Sequence, residues 1–382
     1  MNWFIPENKL DYSERAPITD LDIHSKNNVC LKGFAKTGKT RCLIYLIRKI
    51  TLREPNLSIM FVVSRNIEVE KYRIAFRELS IKVQICTYHK CLSNLQKCDY
   101  IFCDDIQNIS VSTLSTIANS ANRIIVAMNP YMPIFEKDLL SQEPTAAIDD
   151  VLEILSPRVY ELQYLHKRSN YIDLIKNLIA ETGLNNSNQI LSRIDTLPRI
   201  CKANNEDSEI DYIISKAKRA IAHGYNVGIL LPTNKAIVDF VQRVIKKEGG
   251  QTWEMMVDKW GKFDFSQLNQ HLSKEGISLN CFGTETYHYT EMPKAISVIN
   301  YYISMVYEFD AVFIPFLNSN LFIHSNDIIA RNLFVYSILS SKNSLYMSYS
   351  GNKHQYLSKI EMFCITIDTS EAVHDNNFFI DI

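Results

Sequence analysis

The chain has 382 residues, of which 46% are hydrophobic and 22% are charged. This length is comfortable for two domains, and the composition is that of a globular protein with a sizeable core rather than of a disordered tail. The formal net charge of -1 at pH 7 excludes a protein that coats nucleic acid by bulk electrostatics, so any nucleic-acid contact must be a local groove.

The cysteines and the apolar stretches bear on the compartment. Nine cysteines are scattered along the chain without the CxxC pairs of a zinc ribbon, so they are expected to be reduced core thiols of a cytoplasmic protein. No stretch approaches the ~20 apolar residues of a membrane span, and the first residues lack the basic and apolar regions of a signal peptide. The sequence therefore predicts a soluble protein that does not contact a membrane.

Short apolar runs alternate with helical patterns in the first part of the chain. The expected strands are 28–31, 57–63, 83–87, 100–103 and 123–127, and the expected helices are 40–51 and 68–79. This order predicts parallel βαβ units, whose right-handed crossovers build an open sheet covered on both faces. A charged stretch, 149–179, is expected to be helical, and the domain boundary is expected near residue 157.

A second alternating series fills the rest of the chain. Its expected strands are 227–231, 277–282, 295–299, 311–316 and 344–349, and its expected helices are 210–222, 235–248 and 332–339. The sequence thus predicts an α/β protein of two domains, 1–157 and 158–382, the second with a small insertion near 249–291.

The segment from Gly33 to Thr40 has the pattern GxxxxGK[ST] between an expected strand and an expected helix, which is the context that a phosphate-binding loop requires. Its amide groups and the helix N-terminus would face nucleotide phosphates, Lys39 would approach the β and γ phosphates, and Thr40 would offer an oxygen to Mg²⁺. Lys36 stands where a small residue is usual, and it either adds charge or points outward. The candidate nucleotide-binding residues here are Gly33, Thr37, Gly38, Lys39, Thr40 and Arg41.

Two adjacent carboxylates, Asp104 and Asp105, follow the apolar run 100–103. Paired acids at a strand end can simply begin a turn. With a phosphate loop about 65 residues upstream, a magnesium site is favoured instead: Asp104 would hold the metal, and Asp105 would accept the proton of an attacking water.

These segments resemble the UvrD/Rep-like superfamily 1 helicases, and the resemblance runs from about residue 28 to about 350. Residues 104–107 are similar to the DEAQ box of that family, with aspartate in place of glutamate, which assigns Gln107 to the catalytic set beside Asp105. Residues 61–64 and 87–89 resemble two family segments beside single-stranded DNA. The implied nucleic-acid contacts are Ser64, Thr87, Tyr88 and His89.

Two further candidates come from the same resemblance. Residues 166–169 stand where the family has NYRS, whose arginine reaches the γ-phosphate, so Arg168 is implied as a catalytic residue. Residues 298–312 resemble a family segment that contains KGLEFD, and Glu308 is implied as a nucleotide-binding residue.

The chain also departs from the family pattern. Met305 and Val306 replace Lys-Gly, Ser340 stands at the position of a catalytic arginine, and residues 128–132 replace GDPxQ. A hydroxyl cannot stabilise the charge that develops in phosphoryl transfer as a guanidinium does, and such an arginine is worth ~10³ or more in rate. These departures put robust ATP-driven translocation in doubt.

The resemblance implies two RecA-like lobes that bind ATP and Mg²⁺. The expected function is a helicase-like ATPase that acts on or senses single-stranded DNA or RNA, as an accessory subunit. The alternative is a weak or inactive pseudo-helicase that regulates a nuclease or other effector. A nucleotide or metabolite kinase shares the phosphate loop but leaves the second lobe unexplained. Aromatic residues near the insertion could stack on bases or form a small core; they are Trp253, Trp260 and Tyr287.

Overall fold

The computed structural model describes residues 5–166, 169–184, 197–254, 257, 262–283 and 295–369. Among these, the chain forms two compact units: the first contains 5–166 and 181–184, and the second contains 169–180 and the described residues from 197 onward. Within the described residues, no helix combines the length and the apolar character needed to cross a membrane.

The first unit is a parallel sheet flanked by helices. Its described strands are β1 (Val29–Gly33), β2 (Ile59–Val63), β3 (Gln84–Thr87), β4 (Cys98–Cys103), β5 (Ala121–Met128) and β6 (Arg158–Leu162). Its helices are α1 (Tyr12–Thr19), α2 (Lys39–Arg53), α3 (Asn66–Glu78), α4 (Tyr88–Ser93), α5 (Val111–Ala118) and α6 (Ile148–Leu155), with 3₁₀ turns at Glu7–Lys9 and Ile106–Asn108. The strand order is β3-β2-β4-β5-β1-β6, and all the described pairings are parallel.

The five strands predicted for this unit are confirmed. The sequence reveals them because buried strands consist of near-continuous apolar runs. All residues of β2 and nearly all of β1 and β4 are buried, as the near-continuous apolar runs of a parallel sheet covered on both faces require. Helix α2 starts directly after Gly38 and ends at Arg53, two residues before Pro55, because a proline disfavours helical backbone in the residue before it.

Strand β6 corrects two expectations. It pairs in parallel with β1, so the charged stretch 149–179 is not continuously helical and the first unit extends past residue 157. Arg158 and Glu161 are exposed on this strand, which lies at the edge of the sheet. An edge strand tolerates charges that a central strand does not, and for that reason its pattern resembles a surface helix.

The second unit is also a parallel sheet between helices. Its described strands are β7 (Arg199–Ala203), β8 (Val227–Leu231), β9 (Leu279–Phe282), β10 (Ile296–Asn300), β11 (Phe309–Ile314), β12 (Ser341–Ser350) and β13 (Ile365–Asp368). Its helices are α7 (Ser169–Leu178), α8 (Glu206–Ala222), α9 (Asn234–Lys247), α10 (Phe265–Lys274), α11 (Tyr301–Ser304), α12 (Asp327–Leu339) and α13 (Gln355–Ile360), with a 3₁₀ turn at Glu361–Phe363. The order is β13-β7-β12-β11-β8-β10-β9. The α/β fold class is confirmed, and the two sheets are consistent with two RecA-like lobes.

Two described elements of the expected insertion near 249–291 belong to the sheet of the second unit or pack on it. Strand β9 pairs in parallel with β10, and α10 packs against β9. Trp253 is buried in the same core, where its backbone exchanges hydrogen bonds with the Gln242 side chain. Trp253 therefore stabilises the second unit rather than offering a stacking surface, while Trp260 and Tyr287 lie outside the described residues.

Candidate nucleotide-binding site

The segment 33–40 forms a tight loop between β1 and α2. Gly38 has φ of +91°, a left-handed conformation that favours glycine. A Cβ on Gly38 would lie 2.0 Å from Glu14 Oε1, and one on Gly33 would lie 2.7 Å from Thr37 Oγ1. The Thr37 hydroxyl in turn donates to the Phe34 carbonyl at 2.8 Å. Both glycines are therefore required by close packing.

Lys39, the first residue of α2, is buried under this loop. Its Nζ donates to the Phe34 carbonyl at 2.7 Å. Burial lowers the pKa of the Lys39 ammonium, and the nearby carboxylates Asp105 and Asp104 oppose that shift. The ammonium thus lies inside the loop and in the field of both acids.

Asp104 lies at the carboxyl end of β4, opposite the start of α2. The Thr40 hydroxyl donates to Asp104 Oδ2 at 2.6 Å, although the two residues are 64 positions apart in sequence. Burial, and then the neighbouring Asp105, raises the pKa of the Asp104 carboxyl to about 8. Two oxygen atoms that can act as metal ligands therefore lie side by side, and oxygen is the ligand type that Mg²⁺ prefers.

Asp105 is oriented by its backbone and by Gln107. It has φ of +55°, and its amide donates to Asp104 Oδ1 at 3.1 Å. Gln107 Nε2 donates to Asp105 Oδ1 at 3.0 Å, and Gln107 Oε1 accepts from the Asn129 amide at 2.9 Å. Gln107 therefore connects the acidic pair to the segment after β5. This is the segment in which residues 128–132 replace the GDPxQ of the resembled family.

Helix α3 adds two residues that the sequence did not identify. Glu68 is buried, and burial raises the pKa of its carboxyl; Arg65 opposes that shift and Asp105 adds to it. Burial also raises the pKa of the Tyr72 hydroxyl, with Asp104 as the next cause, and the nearby Thr40 side chain opposes that shift. Glu68 and Tyr72 are four residues apart and so share a helix face, but no motif marks them.

The expected nucleic-acid residues differ in exposure. Tyr88 is 4% exposed, and its hydroxyl donates to the Asp104 carbonyl at 2.7 Å. Thr87 caps α4 by accepting from the Lys90 amide, and His89 is exposed. Ser64 is half-buried, and its Oγ has no hydrogen-bond partner among the described residues. Tyr88 thus packs against the acidic end of β4. Among the four candidates, His89 is the exposed one and could contact a nucleic acid.

The remaining candidates are Arg41, Glu308 and Arg168. Arg41 pairs with Glu14 at 3.1 Å. Glu308 belongs to the second unit, just before β11. In the same unit, Ser340 is fully buried and its hydroxyl donates to the Ser337 carbonyl at 2.6 Å. Arg168 lies outside the described residues.

The first unit therefore brings together a phosphate loop and an acidic strand end in one place. All the described pairings of its sheet are parallel, so the carboxyl ends of its strands lie at one edge, where ligands bind in open α/β sheets. Five polar groups lie together at this edge: an ammonium, a hydroxyl, two carboxylates and a carboxamide. They belong to Lys39, Thr40, Asp104, Asp105 and Gln107. This set can hold a phosphorylated ligand with a divalent cation and can orient a water molecule.

Comparison with known proteins adds little to this geometry. No family model matches the chain, and no curated protein matches it. One similar solved structure is the C-terminal domain of a possible DNA helicase from Lactobacillus plantarum WCFS1, with 12% identity, 52% of this chain and 96% of that chain covered, and a TM-score of 0.35. A likeness of this strength carries no argument about function.

Proposed function

We propose that this chain is a helicase-like protein that binds ATP with Mg²⁺ at the loop 33–40, hydrolyses it slowly, and acts on or senses single-stranded DNA or RNA as an accessory subunit. The observation that carries the proposal is the 2.6 Å bond between Thr40 Oγ1 and Asp104 Oδ2. It joins the two motifs that the sequence had assigned to the same metal.

The residues present fit that role. Thr40 and Asp104 offer two oxygen ligands on one side, and the Lys39 ammonium offers a positive charge beside the phosphate loop. The cation, when bound, supplies a Lewis acid that neutralises charge on the phosphates. The Lys39 ammonium has three N–H donors, so it can keep its bond to the Phe34 carbonyl and also donate to a phosphate oxygen.

Asp105 is the group we assign to the attacking water. Gln107 holds one of its carboxylate oxygens at 3.0 Å and leaves the other for a water molecule. A carboxylate in this position accepts a proton as the new bond to phosphorus forms. The assignment to the UvrD/Rep-like family, and with it the nucleic-acid partner, rests on the sequence resemblance.

A second candidate function is supported by Ser340. At the position where the resembled family has a catalytic arginine, this chain has a fully buried serine whose hydroxyl is engaged by its own helix. Loss of that guanidinium favours a protein that binds nucleotide as a structural ligand and regulates a nuclease or other effector.

The test is ATP turnover by the purified chain, alone and with single-stranded DNA, single-stranded RNA or duplex. The proposal expects slow turnover that a single strand stimulates and that Lys39→Ala and Asp105→Ala abolish. If ATP raises the melting temperature while turnover stays at background with every nucleic acid, the regulatory alternative replaces it. Turnover that persists in Lys39→Ala would exclude this site as its source.

A further inference from the structure

A second cluster of side chains that could bind a metal lies against the phosphate loop, at Gly38 and Lys36. It contains Asp11 and Glu14 at the start of α1, and His166 after β6. His166 Nε2 lies 3.2 Å from Glu14 Oε1 and 3.4 Å from Asp11 Oδ2. Ligands arranged tetrahedrally at about 2.0–2.2 Å from one cation would be about 3.3–3.6 Å apart, and both distances from His166 Nε2 are close to that spacing.

One carboxylate oxygen of Asp11 accepts no hydrogen bond from the described residues, although it lies near His166. Its Oδ1 caps α1 by accepting from the Glu14 amide at 2.9 Å, and it also accepts from the Ser13 hydroxyl at 2.6 Å. Its Oδ2 is buried and has no hydrogen-bond partner among the described residues, and the whole residue is only 8% exposed. A buried acceptor left without a donor is costly, so this oxygen, which faces His166 Nε2, points to a ligand.

The charge of the cluster leads to the same conclusion. Asp11 and the fully buried Glu14 are two carboxylates, and the cation beside them is Arg41, whose Nη1 lies 3.1 Å from Glu14 Oε1. Buried charges are stable only when they are paired. A bound cation would complete the neutralisation.

We infer that Asp11, Glu14 and His166 bind a divalent transition-metal cation of the zinc or manganese type, separate from the magnesium position at Thr40 and Asp104. One imidazole nitrogen and two carboxylate oxygens are a ligand set for such ions. The site would brace the phosphate loop, because Glu14 packs against Gly38 and the His166 amide donates to the Lys36 carbonyl at 3.0 Å. This inference does not depend on the proposed function.

Cobalt(II) titration of the nucleotide-free full chain tests it, because the absorption spectrum reports the ligands. We expect one bound equivalent with no thiolate charge-transfer band, and at least ~tenfold weaker binding in His166→Gln and in Asp11→Asn. Asparagine also caps helices, so Asp11→Asn preserves the start of α1. Cys364→Ser, which replaces a partly exposed cysteine, is the control that should bind as the parent does, and Arg41→Gln should bind more tightly.

Three results would overturn the inference: no stoichiometric binding, a thiolate band, or equal affinity in His166→Gln and the parent. In the first case the cluster is an ordinary polar contact between a histidine and two carboxyl groups. Should Asp11→Asn fail to fold, His166→Gln still decides the matter, because the His166 side chain is 29% exposed and is not part of a helix or strand.

Discussion

The hydroxyl of Thr40 donates a 2.6 Å hydrogen bond to Asp104 Oδ2, across 64 positions of sequence. The bond joins the first turn of α2 to the carboxyl end of β4 and places two potential metal ligands side by side. Thr40 Oγ1 can keep this hydrogen bond and still offer a lone pair to Mg²⁺, because a hydroxyl has one proton and two lone pairs. The predictions below follow from this pair and from the residues around it.

Replacement of the Thr40 hydroxyl should weaken nucleotide binding only when Mg²⁺ is present. Thr40→Val keeps the shape of the side chain but removes an oxygen ligand, so we expect the affinity for the Mg²⁺ complex of ATP to fall at least ~tenfold. Thr40→Ser keeps the hydroxyl and is the matched control. Calorimetry with and without Mg²⁺ measures both, and equal affinities of the valine and serine variants would refute a metal role for this hydroxyl.

The raised pKa of Asp104 predicts a pH dependence of metal binding. Its pKa is about 8 in the folded protein, against 3.8 for an ordinary aspartate, because of burial and then Asp105. A metal must displace that proton, so the apparent affinity should rise about tenfold per pH unit up to about pH 8 and then level off. Calorimetry in buffers of different ionisation enthalpy should detect the released proton.

The raised pKa of Asp104 also determines how the stability of the ligand-free protein changes with pH. Between about pH 4 and pH 8 the folded state holds a proton on Asp104 that the unfolded state has released, so stability falls as pH rises through this window. Asp104→Asn should remove this part of the decline and be relatively more stable at pH 8 than at pH 5. Melting curves that decline equally in both proteins would contradict the assignment.

Gln107 should affect turnover more than binding. Its carboxamide donates to Asp105 and accepts from the Asn129 amide, so it sets the position of the acid that we assign to the attacking water. We expect Gln107→Met to lower turnover at least ~tenfold with nucleotide affinity changed less than about threefold. Gln107→Glu, which keeps the acceptor but places a negative charge against Asp105, is the companion variant. A loss of affinity equal to the loss of turnover would mean that Gln107 is only structural.

Tyr88 and His89 are adjacent, but their replacement should affect different properties: stability for Tyr88 and single-strand binding for His89. Tyr88→Phe removes the hydrogen bond to the Asp104 carbonyl and should lower the free energy of unfolding by about 0.5–1.5 kcal/mol. His89→Ala changes an exposed side chain and should leave stability within about 0.5 kcal/mol while weakening single-strand binding. Fluorescence anisotropy and urea unfolding separate the two; loss of single-strand affinity at unchanged stability in Tyr88→Phe would reverse the assignment.

The sequence predicts that the phosphate loop and the acidic pair lie close together because each motif follows a strongly buried strand. An uninterrupted apolar run such as Ile59–Val63, which is buried throughout, predicts a central strand. The position of Asp104 beside Thr40 then follows from parallel strands that share one edge. Strand β6 was missed because its exposed edge carries charges that also suit a helix.

Contacts made by helix packing could not be predicted in this way. Glu68 and Tyr72 reach the acids only because α3 packs over β2, and their four-residue spacing shows a common face but not what that face contacts. The Asp11, Glu14 and His166 cluster joins residues more than 150 positions apart, and no local pattern links them.

The most direct test of the central claim is calorimetry with the Mg²⁺ complex of a non-hydrolysable ATP analogue. The parent chain should bind one equivalent saturably, and Lys39→Ala should bind at least ~tenfold more weakly. Lys36→Asn, in the same loop at a left-handed position that asparagine tolerates, should retain the affinity of the parent. Absence of binding by the parent, or equal binding by Lys39→Ala, would contradict a nucleotide site at residues 33–40.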